Sequence, residues 1–207
     1  MTLGGALALW VTELAQPVVP GAAPAWFTAL FNSVTARTAG FSTIAMGSLM
    51  PASVVVMIFL MYVGGSPAGT AGGVKTTTLG VAVLALRRLV QGKAEMEVFD
   101  RRVEPEVATR ALTILLLSLL SCALVVGLLA FLEPRLSLGD LTFEAVSALS
   151  TAGLTRGITP LLGDPAKIVL ILTMFVGRVG VLTAVLAFAR QEAPRPYRLP
   201  EGNLIVS

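Results

Sequence analysis

Long apolar runs dominate the chain, and they predict its main elements. Residues 108–132 carry a single charge, and residues 166–189 form a second apolar run of similar length. A helix that crosses the hydrocarbon core of a bilayer, about 30 Å thick, needs roughly 20 such residues. The pattern therefore predicts two membrane-spanning helices. We expect the shorter apolar stretch at residues 3–15 to belong to a span that is complete only in a longer parent chain.

A third apolar run, residues 51–86, is too long for one spanning helix. As a single helix it would extend about 54 Å, against a hydrocarbon core of about 30 Å. The run is interrupted by GGSPAGTAGG at 64–73, where glycines are poor helix formers and Pro67 has no amide to donate. We expect a break there, packed against protein or a water-filled cavity, because an unwound backbone in lipid would leave its polar groups unpaired.

Two shorter helices are predicted at residues 25–36 and 138–149. Each is too short to cross a bilayer, so we interpret both as re-entrant segments. Ser137 is a candidate N-cap for the second helix, with Asp140 favourably placed in its first turn. Both helices would direct the negative ends of their dipoles towards the middle of the membrane, where a cation is stabilised.

The segments that follow these two helices repeat each other. TAGFS at 38–42 matches TAGLT at 151–155 at an offset of 113 residues, and MYVG at 61–64 matches MFVG at 174–177 at the same offset. Two linked matches at one offset indicate an internal duplication. The alternative is that both TAG segments are ordinary glycine-containing loops.

Each duplicated unit is predicted to be a short helix, a Thr-x-Gly strand and a long helix, with both units in the same orientation. Glycine permits backbone angles that aim successive carbonyls at one axis, and rings of carbonyls replace the hydration shell of an ion. The predicted fold class is therefore an all-α membrane protein with tandem potassium-channel-like repeats, re-entrant pore helices and extended filter strands.

Composition and charge narrow the possible functions. Hydrophobic residues make up 55% of the chain, charged residues 13%, and the mean hydropathy is +0.84, whereas soluble domains have about 25% charged residues. A soluble enzyme and a disordered chain are therefore excluded. The chain has no His and a single Cys, which argues against disulfide frameworks and imidazole metal sites. No basic stripe with interleaved aromatics points to nucleic acid.

Basic residues also predict the orientation in the membrane. Arg and Lys are concentrated in the linker 87–110 and in the C-terminal tail, whereas the segments 17–50 and 133–165 contain few. By the positive-inside rule the linker and the C-terminus are cytoplasmic. We expect a multi-pass protein of the plasma (inner) membrane.

Two basic residues lie in or next to apolar segments. Arg178 falls within the last predicted helix, without an acidic residue in the long apolar runs to pair with it; it either lines a polar path or bonds to a neighbouring helix. Lys75 follows the glycine-rich break. A phosphate-binding loop needs Gly directly before Lys, and Val74 stands there instead. Lys75 either reaches a cytoplasmic cavity, bonds loop carbonyls or snorkels to the interface.

A family resemblance is carried by SVTARTAGFST at 33–43, GGSPAGTAGGVKTTT at 64–78, SALSTAGLTRGITP at 147–160 and MFVGRVGVLT at 174–183. These segments closely resemble the membrane subunit of the Trk/Ktr/HKT superfamily of potassium transporters. In that family four M1-P-M2 repeats surround one pore, and an intramembrane loop in the third repeat acts as a gate. The chain matches the last two repeats.

The resemblance implies a division of the chain into repeats. The implied organisation is a third repeat at 1–90 (truncated M1, pore helix 25–36, filter 38–42, broken M2 51–90), a cytoplasmic linker at 91–107, a fourth repeat at 108–190 (M1 108–132, pore helix 138–149, filter 151–155, M2 166–189) and a cytoplasmic tail at 191–207.

The resemblance also implies site residues. The implied selectivity filter is Thr38, Ala39, Gly40, Phe41, Thr151, Ala152, Gly153 and Leu154, with K⁺ at the carbonyls of Thr38, Ala39, Gly40, Thr151, Ala152 and Gly153. The implied gate is Gly64, Gly65, Ser66, Pro67, Gly69, Gly72, Gly73, Lys75 and Arg178. No covalent cofactor is expected, and K⁺ is the transported ion.

The function that follows is potassium uptake through a carbonyl-lined filter. Two filter strands cannot close a four-strand ring, so a missing N-terminal half or a second copy of the chain is expected to complete the pore. A homodimer and a cytosolic nucleotide-binding regulatory subunit are further expected partners. The alternatives are a non-conducting truncated fragment or assembly subunit, and a sodium-permeable member of the same superfamily. An enzyme is disfavoured because no nucleophile, base or acid pair is assembled.

Overall fold

The computed structural model describes residues 1–13, 25–67, 71–92, 97–98, 101–102, 104–181 and 183. Three predicted features lie outside the described residues. They are Gly69 of the implied gate, the end of the last M2 segment beyond residue 183, and the tail 191–207.

The described residues are mostly helical. The helices are α1 (Thr2–Glu13), α2 (Ala25–Thr35), α3 (Pro51–Tyr62), α4 (Thr76–Gln91), α5 (Pro105–Leu132), α6 (Leu138–Leu149) and α7 (Asp164–Val179). Single 3₁₀ turns occur at Met46–Ser48 and Thr159–Leu161. A two-residue antiparallel hairpin, β1 (Glu97–Val98) with β2 (Arg101–Arg102), lies in the linker, where no strand was predicted.

The short helices have nearly the predicted bounds. Helix α6 begins and ends at the predicted residues, and α2 ends one residue before its predicted end. The N-cap prediction is confirmed, because the Ser137 hydroxyl accepts the Asp140 amide at 3.1 Å. Such a cap satisfies one of the amides that the first helical turn leaves unpaired.

The predicted break in the third apolar run is confirmed. Helix α3 ends at Tyr62 and α4 begins at Thr76. The two ends of the break pair with each other: the Gly64 amide donates to the Val74 carbonyl at 2.9 Å, and the Val74 amide donates to the Tyr62 carbonyl at 3.0 Å. These bonds replace part of the helical ladder that the break removes.

The prediction for the last helix needs a correction. The run 166–189 was expected to form one helix, but α7 ends at Val179, and Gly180 has φ 94°. Residues with side chains rarely adopt that angle, and only glycine does so at little cost. Arg178 therefore lies in the last turn of α7 and not in mid-helix.

The predicted filter strands are not β-strands. Neither TAG segment belongs to a ladder in the part of the chain that the structure describes, and residues 36–39 form a turn. The physical reason is that Thr and Gly of each segment have positive φ, which is incompatible with a regular strand.

Packing within the two units is similar. Helix α1 contacts α2 and α3, and α5 contacts α6 and α7. The units join where α3 packs on α6 and α4 packs on α5. Polar side chains also link the helices: Ser33 donates to the Thr2 carbonyl at 2.8 Å, and the Tyr62 hydroxyl lies 2.6 Å from the Ser118 hydroxyl. Hydrogen bonds of this kind are common between membrane helices.

One helix among the described residues is long and apolar enough to cross a membrane. It covers Glu106–Leu132 in α5, and only 17% of its most apolar window is buried within the chain. The core helix of a soluble protein would be mostly buried. The exposed apolar surface of α5 is therefore available to lipid or to other membrane helices.

Helix α7 approaches the end of α6 through Gly177. A Cβ built at Gly177 would overlap the carbonyl oxygen of Leu149, the last residue of α6. Glycine is required here by close approach of two backbones, because any side chain would separate α7 from α6.

We predict that Gly177→Ala destabilises the chain by about 1–3 kcal/mol, the usual range for overpacking. The matched control is Gly127→Ala in α5, because a Cβ at Gly127 meets nothing within 4 Å. Thermal unfolding of the purified chain in detergent measures both. Equal melting temperatures for the two variants would contradict the contact.

Candidate functional site

The two TAG segments share an unusual backbone conformation. Thr38 and Thr151 are the non-glycine residues with positive φ among those described, at 68° and 53°, and the glycines two positions later, Gly40 and Gly153, have φ 76° and 82°. Positive φ is rare for a β-branched residue. In an ordinary strand successive side chains alternate between the two faces, and successive carbonyls point towards opposite edges. A left-handed residue at every second position disrupts that alternation. The duplicated sequence thus folds into a duplicated backbone.

The two segments contact each other at their glycines. A Cβ built at Gly40 would lie 3.2 Å from the carbonyl oxygen of Ala152 and 3.7 Å from the Cα of Gly153. A Cβ at Gly153 would lie 3.4 Å from the Cα of Gly40. The duplication therefore brings together two segments that are 113 residues apart in the chain.

Each segment is held at the C-terminal end of its short helix. The Thr35 hydroxyl accepts the Phe41 amide at 3.0 Å and donates to the Phe41 carbonyl. In the second unit the Ser147 hydroxyl donates to the Leu154 carbonyl at 2.6 Å. The two copies differ in exposure, because Phe41 is 71% exposed and Leu154 only 3%.

Glu144 anchors the loop that follows the second TAG segment. Glu144 is 5% exposed, and its carboxylate accepts three hydrogen bonds, from the Thr155 hydroxyl, from the Arg156 amide at 3.2 Å and from the Thr159 hydroxyl at 3.0 Å. The structure shows that it binds the backbone amide of Arg156.

The Arg156 side chain makes two other contacts. Its Nε lies 3.0 Å from a carboxylate oxygen of Asp140, on α6. Its terminal nitrogen donates to the Gly47 carbonyl at 3.2 Å. Gly47 belongs to the loop that follows the first TAG segment, so Arg156 joins the two loops. Sequence analysis missed this contact, since no local pattern relates Arg156 to Gly47.

Glycines let the broken segment between α3 and α4 pack on itself. A Cβ at Gly64 would overlap the Gly72 carbonyl oxygen, and a Cβ at Gly65 would lie 2.6 Å from the Ala71 Cβ. The Lys75 ammonium donates to the Ala71 carbonyl at 2.9 Å. That bond is the loop-carbonyl contact that the sequence offered as one possibility for Lys75.

The same segment also reaches the second TAG segment. The Gly72 amide donates to the Thr151 hydroxyl at 3.2 Å. A Cβ built at Gly73 would lie 3.1 Å from the Cβ of Ser150. Two further residues of the implied gate, Ser66 and Pro67, are exposed. The structure therefore brings part of the implied gate against part of the implied filter.

A cavity of about 280 Å³ lies beside this contact. Residues from five helices, α3 to α7, and from the broken segment line it, among them Tyr62, Gly73, Lys75, Ser118, Ser150 and Gly177. Arg178 is exposed, and its neighbours Gly177 and Val179 line the cavity. The ends of α3, α6 and α7 thus converge around the broken segment.

Comparison with known proteins identifies the family of the chain and agrees with its fold. The family model described as TrkH, cation transport protein, matches residues 6–196. The chain therefore belongs to the TrkH family of cation transport proteins, a family of membrane transporters and not of enzymes. The resemblance to the Trk/Ktr superfamily is confirmed.

Individual relatives support the same assignment. The chain is 38% identical over 181 residues to the potassium/sodium uptake protein NtpJ of Enterococcus hirae, covering 85% of this chain and 40% of that protein. It is 32% identical over 210 residues to the Ktr system potassium uptake protein B of Vibrio alginolyticus, covering 99% of this chain and 45% of that protein.

A solved structure shares the fold. The potassium transporter TrkH from Vibrio parahaemolyticus matches with a TM-score of 0.75 and 21% identity, over 91% of this chain and 42% of that one. The chain thus spans less than half the length of each of these three proteins.

We predict that Glu144→Gln destabilises the chain by about 1–3 kcal/mol, because a carboxamide has one acceptor oxygen where the carboxylate has two, and it accepts weaker hydrogen bonds than a charged group does. The matched control is Glu106→Gln, since Glu106 is an exposed carboxylate 3.9 Å from Arg110 on α5, and exposed pairs contribute little. Thermal unfolding in detergent compares the two. A Glu144→Gln variant as stable as the control would contradict the anchoring role.

Proposed function

We propose that the chain forms part of the pore of a potassium uptake transporter. The observation that carries the proposal is the pair of left-handed Thr-x-Gly segments in contact at Gly40 and Gly153. Potassium binds the backbone carbonyls of the filter residues, which replace its hydration shell. The names of two relatives, potassium/sodium uptake protein and Ktr system potassium uptake protein B, support this class of substrate.

In this proposal α2 and α6 are re-entrant pore helices and the TAG segments are the filter strands. Both helices end directly before their filter segment, and the negative end of a helix dipole stabilises a cation within about one turn. The filter carbonyls concerned are those of Thr38, Ala39, Gly40, Thr151, Ala152 and Gly153, with Phe41 and Leu154 closing each segment.

The proposed gate is the broken segment together with Arg178. The segment joins α3 to α4 and contacts the proposed filter residue Thr151, which supports a role in limiting passage next to the filter. Arg178 adds a positive charge at the end of α7, and a fixed cation near a pore is an electrostatic barrier to potassium.

The pore needs two more filter segments than this chain contains. We propose that an N-terminal half supplies them, with a second copy of the chain as the alternative. Pairing of complete pores into homodimers and docking of a cytosolic nucleotide-binding subunit are part of the same proposal. The linker and the C-terminus would face the cytoplasm, in accord with the basic residues of the linker.

Sodium is the second candidate substrate. It is favoured by one observation, the name potassium/sodium uptake protein given to a relative that is 38% identical. Separate measurements of rubidium and sodium uptake distinguish the two ions. A chain that conducts neither ion, although it reaches the membrane together with its partner half, would be a non-conducting assembly subunit.

We predict that Gly153→Ser lowers the selectivity for potassium over sodium. A side chain at φ 82° costs about 1–2 kcal/mol, and its Cβ would lie 3.4 Å from the Gly40 Cα. A loss of 1.4 kcal/mol corresponds to about tenfold in the ratio of the two ions. The measurement is rubidium and sodium uptake in cells without their own potassium uptake, with the chain co-expressed with a matching N-terminal half. Gly127→Ser is the control for expression, and unchanged selectivity in a conducting Gly153→Ser variant would contradict the filter assignment.

We further predict that Arg178→Ala raises potassium flux. Removal of a barrier of about 1 kcal/mol accelerates passage roughly fivefold. Lys167→Ala, near the start of the same helix, removes a positive charge away from the proposed gate and serves as the control. Equal flux in the Arg178→Ala and parent proteins would remove Arg178 from the gate.

A further inference from the structure

The duplicated threonines Thr38 and Thr151 make different side-chain contacts. They share a left-handed backbone and the same place before a filter glycine. The Thr151 hydroxyl accepts the Gly72 amide at 3.2 Å. In the part of the chain that the structure describes, no amide of the broken segment donates to Thr38. The two copies therefore have equivalent backbones at these threonines, but among the described residues only the Thr151 hydroxyl contacts the broken segment.

Gly72 is enclosed on two sides. On one side, a Cβ at Gly64 would overlap the Gly72 carbonyl oxygen. On the other side, a Cβ at Gly72 itself would lie 2.5 Å from the Thr151 hydroxyl oxygen and 2.7 Å from the Ser150 carbonyl oxygen. The segment thus fits between the end of α3 and the second filter segment, and only a glycine fits at this position.

We propose that the Thr151 hydroxyl is the docking point that holds the broken segment against the filter. The inference rests on the proposed function, because it assigns a second role to a proposed filter residue. Thr151 acts as a positioning residue for the gate: its hydroxyl accepts the Gly72 amide when the segment is docked. When the segment moves away, both groups need other partners, since an unpaired amide or hydroxyl is costly in a water-poor environment. The proposal assigns no such role to Thr38, because none of the described amides of the broken segment donates to it.

The docked segment also covers Ser150, so the accessibility of this position can be used to measure docking. Ser150 is 2% exposed, and a Cβ at Gly73 would lie 3.1 Å from the Ser150 Cβ. A cysteine at this position is protected while the segment is docked and reacts when it moves away. The reaction rate then follows the population of the undocked state, as for other local openings.

The experiment measures the rate at which a water-soluble thiol reagent modifies Ser150→Cys in membranes. The chain has a single native cysteine, which is replaced by Cys122→Ala, and the full chain is co-expressed with a cysteine-free N-terminal half. We expect Thr151→Val, which keeps the β-branched shape and removes the hydroxyl, to raise the rate about threefold to tenfold, the effect of losing one neutral hydrogen bond. Thr151→Ser, which keeps the hydroxyl, should restore the parent rate.

Two further variants make the test specific. Thr38→Val, the matched change in the other copy, should leave the modification rate unchanged. Gly72→Ala disturbs the same contact from the other side and also crowds the Ser150 carbonyl, so it should raise the rate at least as much as Thr151→Val does. Adding Thr151→Val to Gly72→Ala should raise the rate no further, because the docking contact is already lost. If Thr151→Val does not reach the membrane, the modification rate of Gly72→Ala is compared with that of Gly127→Ala. A higher rate in Gly72→Ala would support the docking contact, and equal rates would contradict it.

The proposal is overturned if Thr151→Val leaves the rate at the parent value, if Thr38→Val raises it equally, or if Thr151→Ser raises it as much as Thr151→Val. The readout does not require conduction. If Thr151→Val raises the modification rate but the parent protein takes up no potassium, the docking contact is supported and the proposed function is rejected. If the parent protein takes up potassium but Thr151→Val leaves the rate unchanged, the proposed function is supported and the docking contact is rejected.

Discussion

Hydrogen bonding of an unwound backbone is the constraint on which the structure depends. A membrane offers no water to pair exposed amides and carbonyls, so irregular backbone at that depth has to be satisfied by protein or by a cavity. The break between α3 and α4 meets this demand with bonds between its own ends, from Gly64 to Val74 and from Val74 to Tyr62. The Gly72 amide finds its acceptor in the other unit, at Thr151. The hydrogen bonds that pair the backbone of the break therefore also connect the first unit to the candidate site in the second unit.

The same constraint shapes the two TAG segments. Their left-handed residues remove them from any regular ladder, so hydroxyls at the ends of α2 and α6 supply the missing partners. Thr35 binds both the amide and the carbonyl of Phe41, whereas Ser147 binds the Leu154 carbonyl. Around the second segment Glu144 and Arg156 add further anchors. Short helices, hydroxyl anchors and glycine contacts together hold two segments of irregular backbone at the junction of the two units. A filter for a dehydrated cation requires backbone carbonyls that are held in fixed positions.

The sequence predicted the features that depend on local chemistry. The bounds of α6 follow from Ser137 and the apolar run after it, and the break after Tyr62 follows from its glycines and Pro67. The duplication, visible as two matches at one offset, predicted the equivalent backbones of Thr38 and Thr151 in outline. The break at Gly180 was missed, because a glycine inside an apolar run fits a helix equally well until its φ is known. Contacts between distant residues, such as Gly72 with Thr151 and Arg156 with Gly47, leave no local pattern, so the sequence could not predict them.

The central claim is that this chain supplies two of the filter segments of a potassium pore. The most direct measurement is rubidium uptake in cells that lack their own potassium uptake systems, with the chain expressed alone and together with a matching N-terminal half. The account predicts uptake when both halves are present, and its loss when Gly40 and Gly153 are both replaced. Membrane expression of both halves without any uptake, or uptake that survives the replacement of both glycines, would contradict it.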